Sequence, residues 1–342
     1  MRALSIDIGT SHFTVIEGTT KKGSVEITKA VTADLPQIGS VESINFDSGG
    51  AASAISNVLK ENNFNAKNAV ITININNIMI RDFVLPETKP KQLSGMVRYE
   101  MMQNYSAADT DIIQFIKCKN EDDKSQAAIK AVAIKREIVD AYYGILKKLK
   151  LKPIAMDFHA NAVRKLFCNG TMINKKDMSG KSFILIDFGS SGTLTHAITD
   201  GEIFISRYIP LGINDLDELV AGKEFLTAEQ AAEYRKEKLN LSTDDTASSS
   251  AMQGVNTFFH QWNDELQKVI RFFLTQKRID AIDGLYLYGA GSLIKGLPEY
   301  LKASMGTDTY PIEEISKIKF INYNDENKIH NCINAAGAML RL

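Results

Sequence analysis

The chain has 342 residues, more than the roughly 100 to 200 residues of a typical domain, so we predict two lobes with a cleft between them. A hydrophobic share of 44% and a charged share of 24% are ordinary for a globular protein. The net charge of −1 argues against nucleic acid as the main partner.

The N-terminus and the cysteines indicate the compartment. The sequence reaches Asp7 too early for a secretory signal, and no apolar stretch approaches the roughly 18 residues of a membrane span. Cys118, Cys168 and Cys332 are widely spaced and have no metal-ligand pattern. We therefore expect a cytoplasmic protein with reduced thiols and no span of its own.

The first part of the chain alternates strands with one helix. Apolar runs predict strands over 4–8, 13–18, 25–33 and 70–73, with a helix over 51–61. Residues 77–156 then predict the order βαββαβ, with strands over 77–85, 112–119, 127–134 and 153–156 and helices over 90–103 and 136–149. This order is typical of a compact α+β subdomain inserted in the first lobe.

The second part opens another run of strands. Strands are predicted over 182–188, 193–199, 203–209 and 284–288, and helices over 213–220 and 227–238. The polar stretch 240–250 predicts a surface loop, and an apolar stripe from Val255 to Phe273 predicts a long helix packed on the core.

A short pattern occurs twice, 180 residues apart. In both Asp7–Phe13 and Asp187–Thr193, an apolar strand delivers an Asp to a turn of small residues, and a second strand leaves it. A lone copy is most often an ordinary hairpin. Two copies favour a phosphate clamp, because such turns offer backbone N–H groups and hydroxyls to phosphate, and carboxylates suit a phosphate-bound metal ion.

Four motifs in order carry a resemblance that covers the whole chain. Asp7–Ser11, Asp187–Thr193 and Leu287–Ser292 resemble the phosphate-1, phosphate-2 and adenosine motifs of the actin, sugar-kinase and DnaK-type chaperone superfamily. Ala232–Lys236 resembles the Ala-Glu-x-x-Lys helix of FtsA-like and MreB-like members. The resemblance implies an α/β, two-lobed, actin-like ATPase fold.

Further stretches are similar to the PilM family of type IV pilus assembly proteins. They are Ile78–Pro86, Val132–Glu137, Lys152–Asp157 and Ala335–Arg341. The family implies that residues 77–156 form a 1C-type subdomain. FtsA relatives usually add an amphipathic tail, whereas this sequence ends at Leu342 after a predicted crossing helix, which favours PilM.

The family also implies the domain layout. Lobe I comprises residues 1–158, with the 1C-like insertion at 77–156, together with a C-terminal crossing helix over 329–342. Lobe II comprises residues 159–328.

The resemblance assigns roles in binding ATP or ADP with Mg²⁺. Donors to the phosphates are expected at Gly9, Thr10, Ser11, Gly189, Ser190, Ser191 and Gly192. Asp7 and Asp187 would hold the metal through its waters, Glu233 would accept from the ribose and Lys236 would stack on the base. Gly289, Gly291 and Ser292 would let the backbone approach adenine.

Two departures from the superfamily bear on catalysis. Thr14 stands where actin places a phosphate-binding Lys, and Ala290 replaces a frequent Gly. Asp157 is the candidate for activating water, with His159 nearby, although a structural role is the commoner one for such a histidine. We expect tight nucleotide binding and slow or absent hydrolysis.

The family resemblance implies an ATP-binding scaffold. Its expected partner is a PilN-like bitopic membrane protein whose short N-terminal peptide docks in a groove beside the 1C subdomain, with platform ATPases as further partners. Such docking would recruit the chain to the inner face of the cytoplasmic membrane. The alternatives are a small-molecule kinase of the sugar- or acetate-kinase type, which needs an Asp general base, and an FtsA-like polymerising protein.

Overall fold

The computed structural model describes residues 2–36, 47–73, 78–118, 123, 125–167, 170–242, 250–321 and 329–340. Residue 77, Cys168, most of the predicted loop 240–250 and the last two residues of the predicted crossing helix lie outside these ranges. The chain divides into two compact units. Unit 1 comprises Met1–Gln37, Ala54–Asn74 and Leu151–Leu342, and unit 2 comprises Ile38–Ser53 and Ile75–Lys150.

The strands are β1 (Arg2–Ile8), β2 (His12–Lys21), β3 (Ser24–Asp34), β4 (Asn68–Ile73), β5 (Met79–Pro86), β6 (Ile112–Cys118), β7 (Gln126–Ile134), β8 (Lys152–Phe158), β9 (Met172–Ile173), β10 (Lys176–Asp177), β11 (Ser182–Phe188), β12 (Thr193–Thr199), β13 (Glu202–Ile209), β14 (Gly284–Tyr288), β15 (Thr309–Pro311) and β16 (Ile318–Phe320). The helices are α1 (Ser48–Glu61), α2 (Pro90–Tyr105), α3 (Arg136–Lys148), α4 (His159–Phe167), α5 (Ile213–Glu224), α6 (Ala228–Glu237), α7 (Ser250–Lys277), α8 (Leu297–Met305) and α9 (Ile329–Met339).

The first sheet of unit 1 has the order β16-β3-β2-β1-β4-β8. β1, β2 and β3 form antiparallel hairpins, while β4 lies parallel to β1 and β8 lies parallel to β4. Two strands thus differ from the predicted layout: β8, expected within the insertion, belongs to this sheet, and so does β16, which was not predicted. Both join through pairing between segments far apart in sequence, which a local pattern does not encode.

The second sheet of unit 1 has the order β13-β12-β11-β14-β15. β11 pairs antiparallel with β12 and parallel with β14, as β1 does with β2 and β4. The predicted bounds of β11, β12 and β14 match the structure, because each is a short buried run ended by a glycine or a turn.

Helices cover the two sheets of unit 1. α9 packs against α4 and against β1, β2 and β4, and α7 packs against α5. The aromatic stripe of α7 is core as predicted: Phe258, Trp262 and Phe273 are fully buried, and the Trp262 ring stacks on Phe188 at 4.8 Å. α4 was not predicted, and it begins directly after β8.

Unit 2 contains an antiparallel sheet of order β5-β7-β6. β7 alternates buried and partly exposed residues, and its buried face packs with Leu93, Val97 and Met101 of α2. The period-2 strand and the period-3.6 helix therefore bury one face each, as their patterns predict. Among the described residues, we find no helix with the length and apolar character needed to cross a bilayer.

Candidate functional site

The two repeated sequences fold into the same hairpin turn. In the first turn (residues 9–12) the Gly9 N–H donates to the His12 carbonyl at 3.0 Å. In the second turn (residues 189–192) the Gly189 N–H donates to the Gly192 carbonyl, also at 3.0 Å. The two turns therefore share the same closing hydrogen bond as well as a similar sequence.

Both turns offer free backbone donors. Within the described part of the chain, the N–H groups of Thr10, Ser11, Ser190 and Ser191 donate no hydrogen bond. All four residues are partly or fully exposed. Consecutive free N–H groups in a turn form an anion-binding concavity, so each turn has the chemistry of a phosphate cradle.

The structure brings the two turns into contact. The Asn214 Nδ2 group donates to Ser11 Oγ at 3.3 Å, and His12 Nδ1 lies 3.4 Å from Ser190 Oγ. The two turns therefore face each other, as predicted, and both lie in unit 1. A phosphate group at their junction would meet donors from both.

Asp7 and Asp187 are both buried beside the turns, and one histidine lies between them. His159 Nε2 is 2.7 Å from Asp7 Oδ1, and His159 Nδ1 is 3.6 Å from Asp187 Oδ2. The Asn334 side chain of α9 donates to Asp187 Oδ2 at 2.9 Å. The two carboxylates therefore belong to one polar cluster.

The charges in this cluster are mutually dependent. Burial alone would lower the pKa of His159, but the charge and hydrogen bond of Asp7 and the charge of Asp187 outweigh it and raise that pKa. Burial raises the pKa of Asp187, although His159 and Asn334 oppose the change. Burial and the charges of Asp187 and Asp7 hold the pKa of Tyr288 well above its usual value. The raised pKa of His159 favours its protonated form beside the two carboxylates.

The cluster fits a metal ion that takes most of its ligands from water and phosphate rather than from the protein. Thr72 lies in register with Asp7, and its fully buried hydroxyl has no hydrogen-bond partner. Across the described ranges, no group of three or more His, Cys, Asp or Glu side chains is placed to hold a metal. Mg²⁺ commonly takes one or two carboxylates and completes its shell with water and phosphate, which is the donor set available here.

Asp157 is engaged in a structural contact. Its Oδ2 is 2.5 Å from the Lys165 ammonium, and both side chains are buried. Its Oδ1 accepts from the Phe158 N–H at 2.9 Å and from the Asn161 amide at 2.8 Å, at the start of α4. These bonds use both carboxylate oxygens.

The glycines of the adenosine motif are needed by the protein itself. Gly289 has φ +80°, and a Cβ there would lie 2.4 Å from Asp187 Oδ1. A Cβ on Gly291 would lie 2.4 Å from the Phe188 ring, so that space is filled by an aromatic side chain. The Ser292 hydroxyl donates to the Gly289 carbonyl at 2.6 Å and contacts His330 Nδ1 at 3.0 Å. The absence of a Cβ at Gly289 and Gly291 is thus required by the protein's own packing, and the approach of adenine to this backbone stays a prediction.

Glu233 and Lys236 lie one turn apart on α6, and both are exposed. The chain after α6 returns to the adenosine motif, because the Leu241 N–H donates to the Lys295 carbonyl at 2.9 Å. The structure thus places α6 and the adenosine motif in adjacent segments, with the two side chains available to a ligand.

Sequence reasoning missed two residues of this site. Asn334 lies on α9 and donates to Asp187, and the sequence does not show that α9 packs at this site. His12 contacts Ser190 of the second turn, because the two hairpins lie side by side. Thr14 does not contribute: it is buried, and its hydroxyl lies 2.9 Å from that of Thr32. His12 carried a sequence signal, since it directly follows the Gly-Thr-Ser turn.

A family model described as type IV pilus assembly protein PilM matches residues 5–339. The chain belongs to the PilM family. The similarity predicted from short motifs is thereby confirmed over nearly the whole sequence. No curated protein matches the chain in sequence.

Solved structures show the same fold. The chain is similar to a PilM-PilN type IV pilus biogenesis complex at 17% identity, with a TM-score of 0.79, covering 99% of this chain and 98% of that one. It is similar to the ethanolamine utilization protein EutJ from Carboxydothermus hydrogenoformans at 14% identity and a TM-score of 0.57, over 99% and 89%. Against MreB5 of Spiroplasma citri bound to ADP, the identity is 11% and the TM-score 0.54, over 98% and 94%. These likenesses confirm the actin-like fold.

Proposed function

We propose that this PilM family member is a scaffold that binds ATP with Mg²⁺ between its two turns. The observation that carries the proposal is the matched pair of turns, whose four free N–H groups follow two buried carboxylates by three or four residues. The donors suit the phosphates, and Asp7 and Asp187 suit the waters of a phosphate-bound metal. The MreB5 structure that resembles this chain is described as bound to ADP, which supports the same choice of ligand.

Removing either carboxylate tests the metal-dependent part of binding. We expect Asp7→Asn and Asp187→Asn to weaken ATP binding about tenfold or more when Mg²⁺ is present, because each replaces a charged partner of the metal. ATP titrated without Mg²⁺ should be affected less. Isothermal titration with and without Mg²⁺ measures both quantities.

Asp200→Asn is the matched control, since Asp200 is an exposed turn residue that loses the same charge. Its affinity should equal that of the unaltered protein. Unaltered affinity in both Asp7→Asn and Asp187→Asn would remove the proposed metal role.

We propose that hydrolysis is slow. Asp157 is bonded to Lys165 and Asn161, and His159 lies between two carboxylates, so neither is placed as a free base. Donors that hold the phosphates in the ground state and the transition state alike do not raise the chemical rate. Phosphate release at a typical enzyme rate of about 10 per second would contradict this. A rate well below one per minute is the expected result.

For the partner, we propose the N-terminal peptide of a PilN-like membrane protein, docked on unit 2. The similar solved structure is described as a PilM-PilN complex. In unit 2, a groove of about 630 Å³ lies between the end of β5 and α2, lined by Leu85, Thr88, Gln92, Met96 and Tyr99. Apolar and amide side chains in one open groove suit an extended peptide. Through such a partner, a cytoplasmic chain would be held at the inner face of the membrane.

Gly95 allows this groove to be blocked without disturbing the fold. Gly95 lines the groove, and a Cβ there would meet no atom within 4 Å. We expect Gly95→Phe to weaken binding of a fluorescent PilN N-terminal peptide at least tenfold, measured by polarisation. Deleting residues 77–156 is a poorer test, because it would remove β8 from the main sheet.

Gly144→Phe is the control, since Gly144 lies on α3 of the same unit and is equally open. Its peptide affinity and the ATP affinity of both variants should be unchanged. Unaltered peptide binding by a folded Gly95→Phe variant would place the docking site elsewhere.

A further inference from the structure

His12 is the fourth residue of the first turn, and its ring reaches the second turn. The side chain is 48% exposed. Its Nδ1 lies 3.4 Å from Ser190 Oγ, and its Nε2 lies 3.1 Å from Asp34 Oδ1 at the end of β3. The imidazole therefore has a carboxylate on one side and the junction of the two phosphate-type turns on the other.

Thr14 of β2, two residues after His12, supplies no positive charge to the site. Thr14 stands where the superfamily resemblance expects a phosphate-binding Lys, and it is turned into the first sheet against Thr32. The second turn cannot supply an equivalent of His12 either. Gly192 occupies the matched position, and a Cβ there would lie 2.3 Å from the Tyr208 hydroxyl.

We propose that His12 is a phosphate-binding residue, oriented by Asp34, that donates from Nδ1 to a terminal phosphate oxygen of the nucleotide. The proposal rests on the proposed function, since it names a side chain of the same site. When both ring nitrogens carry hydrogen, Nε2 donates to Asp34, and Nδ1 can donate to a phosphate oxygen in place of its contact with the Ser190 hydroxyl. A hydrogen bond between charged groups is about twice as strong as a neutral one.

The position of the ring makes the contact selective. His12 contacts the second turn at Ser190, where the two turns meet. A ligand group at this position would be bound by both turns. In a nucleoside triphosphate, that group is the terminal phosphate and not the nucleoside. His12 should therefore distinguish ATP from ADP and leave adenosine binding unchanged.

Titration of ATP, ADP and adenosine in the presence of Mg²⁺ tests this selectivity. We expect His12→Ala to weaken ATP binding about tenfold, ADP binding less, and adenosine binding not at all. His12→Lys restores a cationic donor and should recover the preference for ATP, whereas His12→Asn should not. Asp34→Asn should give an intermediate loss, because the ring keeps its place but loses the carboxylate that orients it.

His260→Ala is the matched control, since His260 is an exposed histidine on α7. A second readout is the NMR signal of the His12 ring nitrogens, which should shift when a non-hydrolysable ATP analogue is added and be unaffected by adenosine. An unchanged ratio of ATP to ADP affinity in His12→Ala would overturn the role of His12 while leaving ATP binding itself intact. If the unaltered protein binds none of the three ligands, the proposed function fails as well.

Discussion

The two halves of unit 1 are built from the same pieces. In each half, a strand whose last residue but one is an Asp leads into a four-residue turn. A second strand returns antiparallel to it, and a parallel strand lies on its other side. Asp7 lies opposite Thr14 and beside Thr72, while Asp187 lies opposite Leu194 and beside Tyr288. The repeat seen in the sequence is thus a repeat of hydrogen-bond register.

The side chains at matched positions have diverged. His12 in the first turn corresponds to Gly192 in the second, and Ile16 in β2 corresponds to His196 in β12. The first turn presents an imidazole, whereas the second turn is packed from behind by Tyr208. Both halves therefore present backbone N–H groups suited to phosphate. The two halves differ in the side chains that surround those groups.

The largest expected effect comes from breaking the support of the second turn. Gly212 lies directly before α5, and a Cβ there would meet the Gly192 nitrogen at 2.3 Å and the Ser190 carbonyl oxygen at 2.4 Å. Both are backbone atoms, so the turn must move. We expect Gly212→Ala to lower the free energy of unfolding by about 3 kcal/mol, measured by urea denaturation.

Gly222→Ala on α5 controls for the change of residue type, because a Cβ at Gly222 meets no atom within 4 Å. It should be neutral or stabilising by up to about 1 kcal/mol, as expected for alanine within a helix. If Gly212→Ala proved equally harmless, the second turn would not depend on this contact.

The pair Ile16 and His196 predicts a pH dependence at this position of the second half that the matched position of the first half lacks. Burial lowers the pKa of His196 to about 3, and the charge of His159 acts in the same direction. Since the unfolded chain binds the proton near pH 6.5, the stability from neutral His196 is present above that pH and is lost progressively as the pH falls towards 3. Between pH 7 and pH 5 we expect a loss of about 2 kcal/mol.

His196→Ile places the first half's residue in the second half and should remove most of this slope. Urea denaturation at pH 7 and pH 5 gives the comparison. The His196 Nδ1 contact with Ser206 at 2.8 Å is lost in the variant, so its stability at pH 7 should fall slightly. The same pH slope in both proteins would show that His196 is not the group that titrates.

The smallest expected effect concerns the parallel neighbours of the two Asp residues. The buried Thr72 hydroxyl has no partner, whereas the Tyr288 hydroxyl lies 3.4 Å from Asn334 Oδ1. We expect Thr72→Val to stabilise the protein by about 1 kcal/mol, because it removes an unpaired polar group and keeps the shape. Tyr288→Phe should destabilise it by less than about 1 kcal/mol. Thermal melting of the two variants should move in opposite directions.

Local sequence signals predicted much of unit 1. The bounds of β11, β12 and β14 were predicted to the residue, because a short apolar run between turn residues is typical of a buried strand. β16 was missed, since three residues carry little pattern and their partner β3 lies almost 300 positions earlier. α4 was missed because it begins directly after β8, with no turn residue between the two elements.

The sequence predicted the hydrogen-bond donors and carboxylates of the candidate site, but not the side chains that surround them. The positions of Asp7 and Asp187 follow from the repeat, but their bridge through His159 depends on how three segments meet. Gly291 shows a further limit: a glycine in a motif indicates close approach, and only the structure shows that the approaching group is Phe188. The lobe boundaries and the nucleotide contacts stay predictions.

The fluorescence of Trp262 can report on changes in the second turn. It is the one tryptophan of the sequence, its ring stacks on Phe188, and its Nε1 donates to Thr193 Oγ1 at 2.8 Å. Phe188 and Thr193 are the residues that flank the second turn on either side. Indole fluorescence therefore reports on the back of that turn alone, and a ligand that shifts the turn should change the emission without any added label.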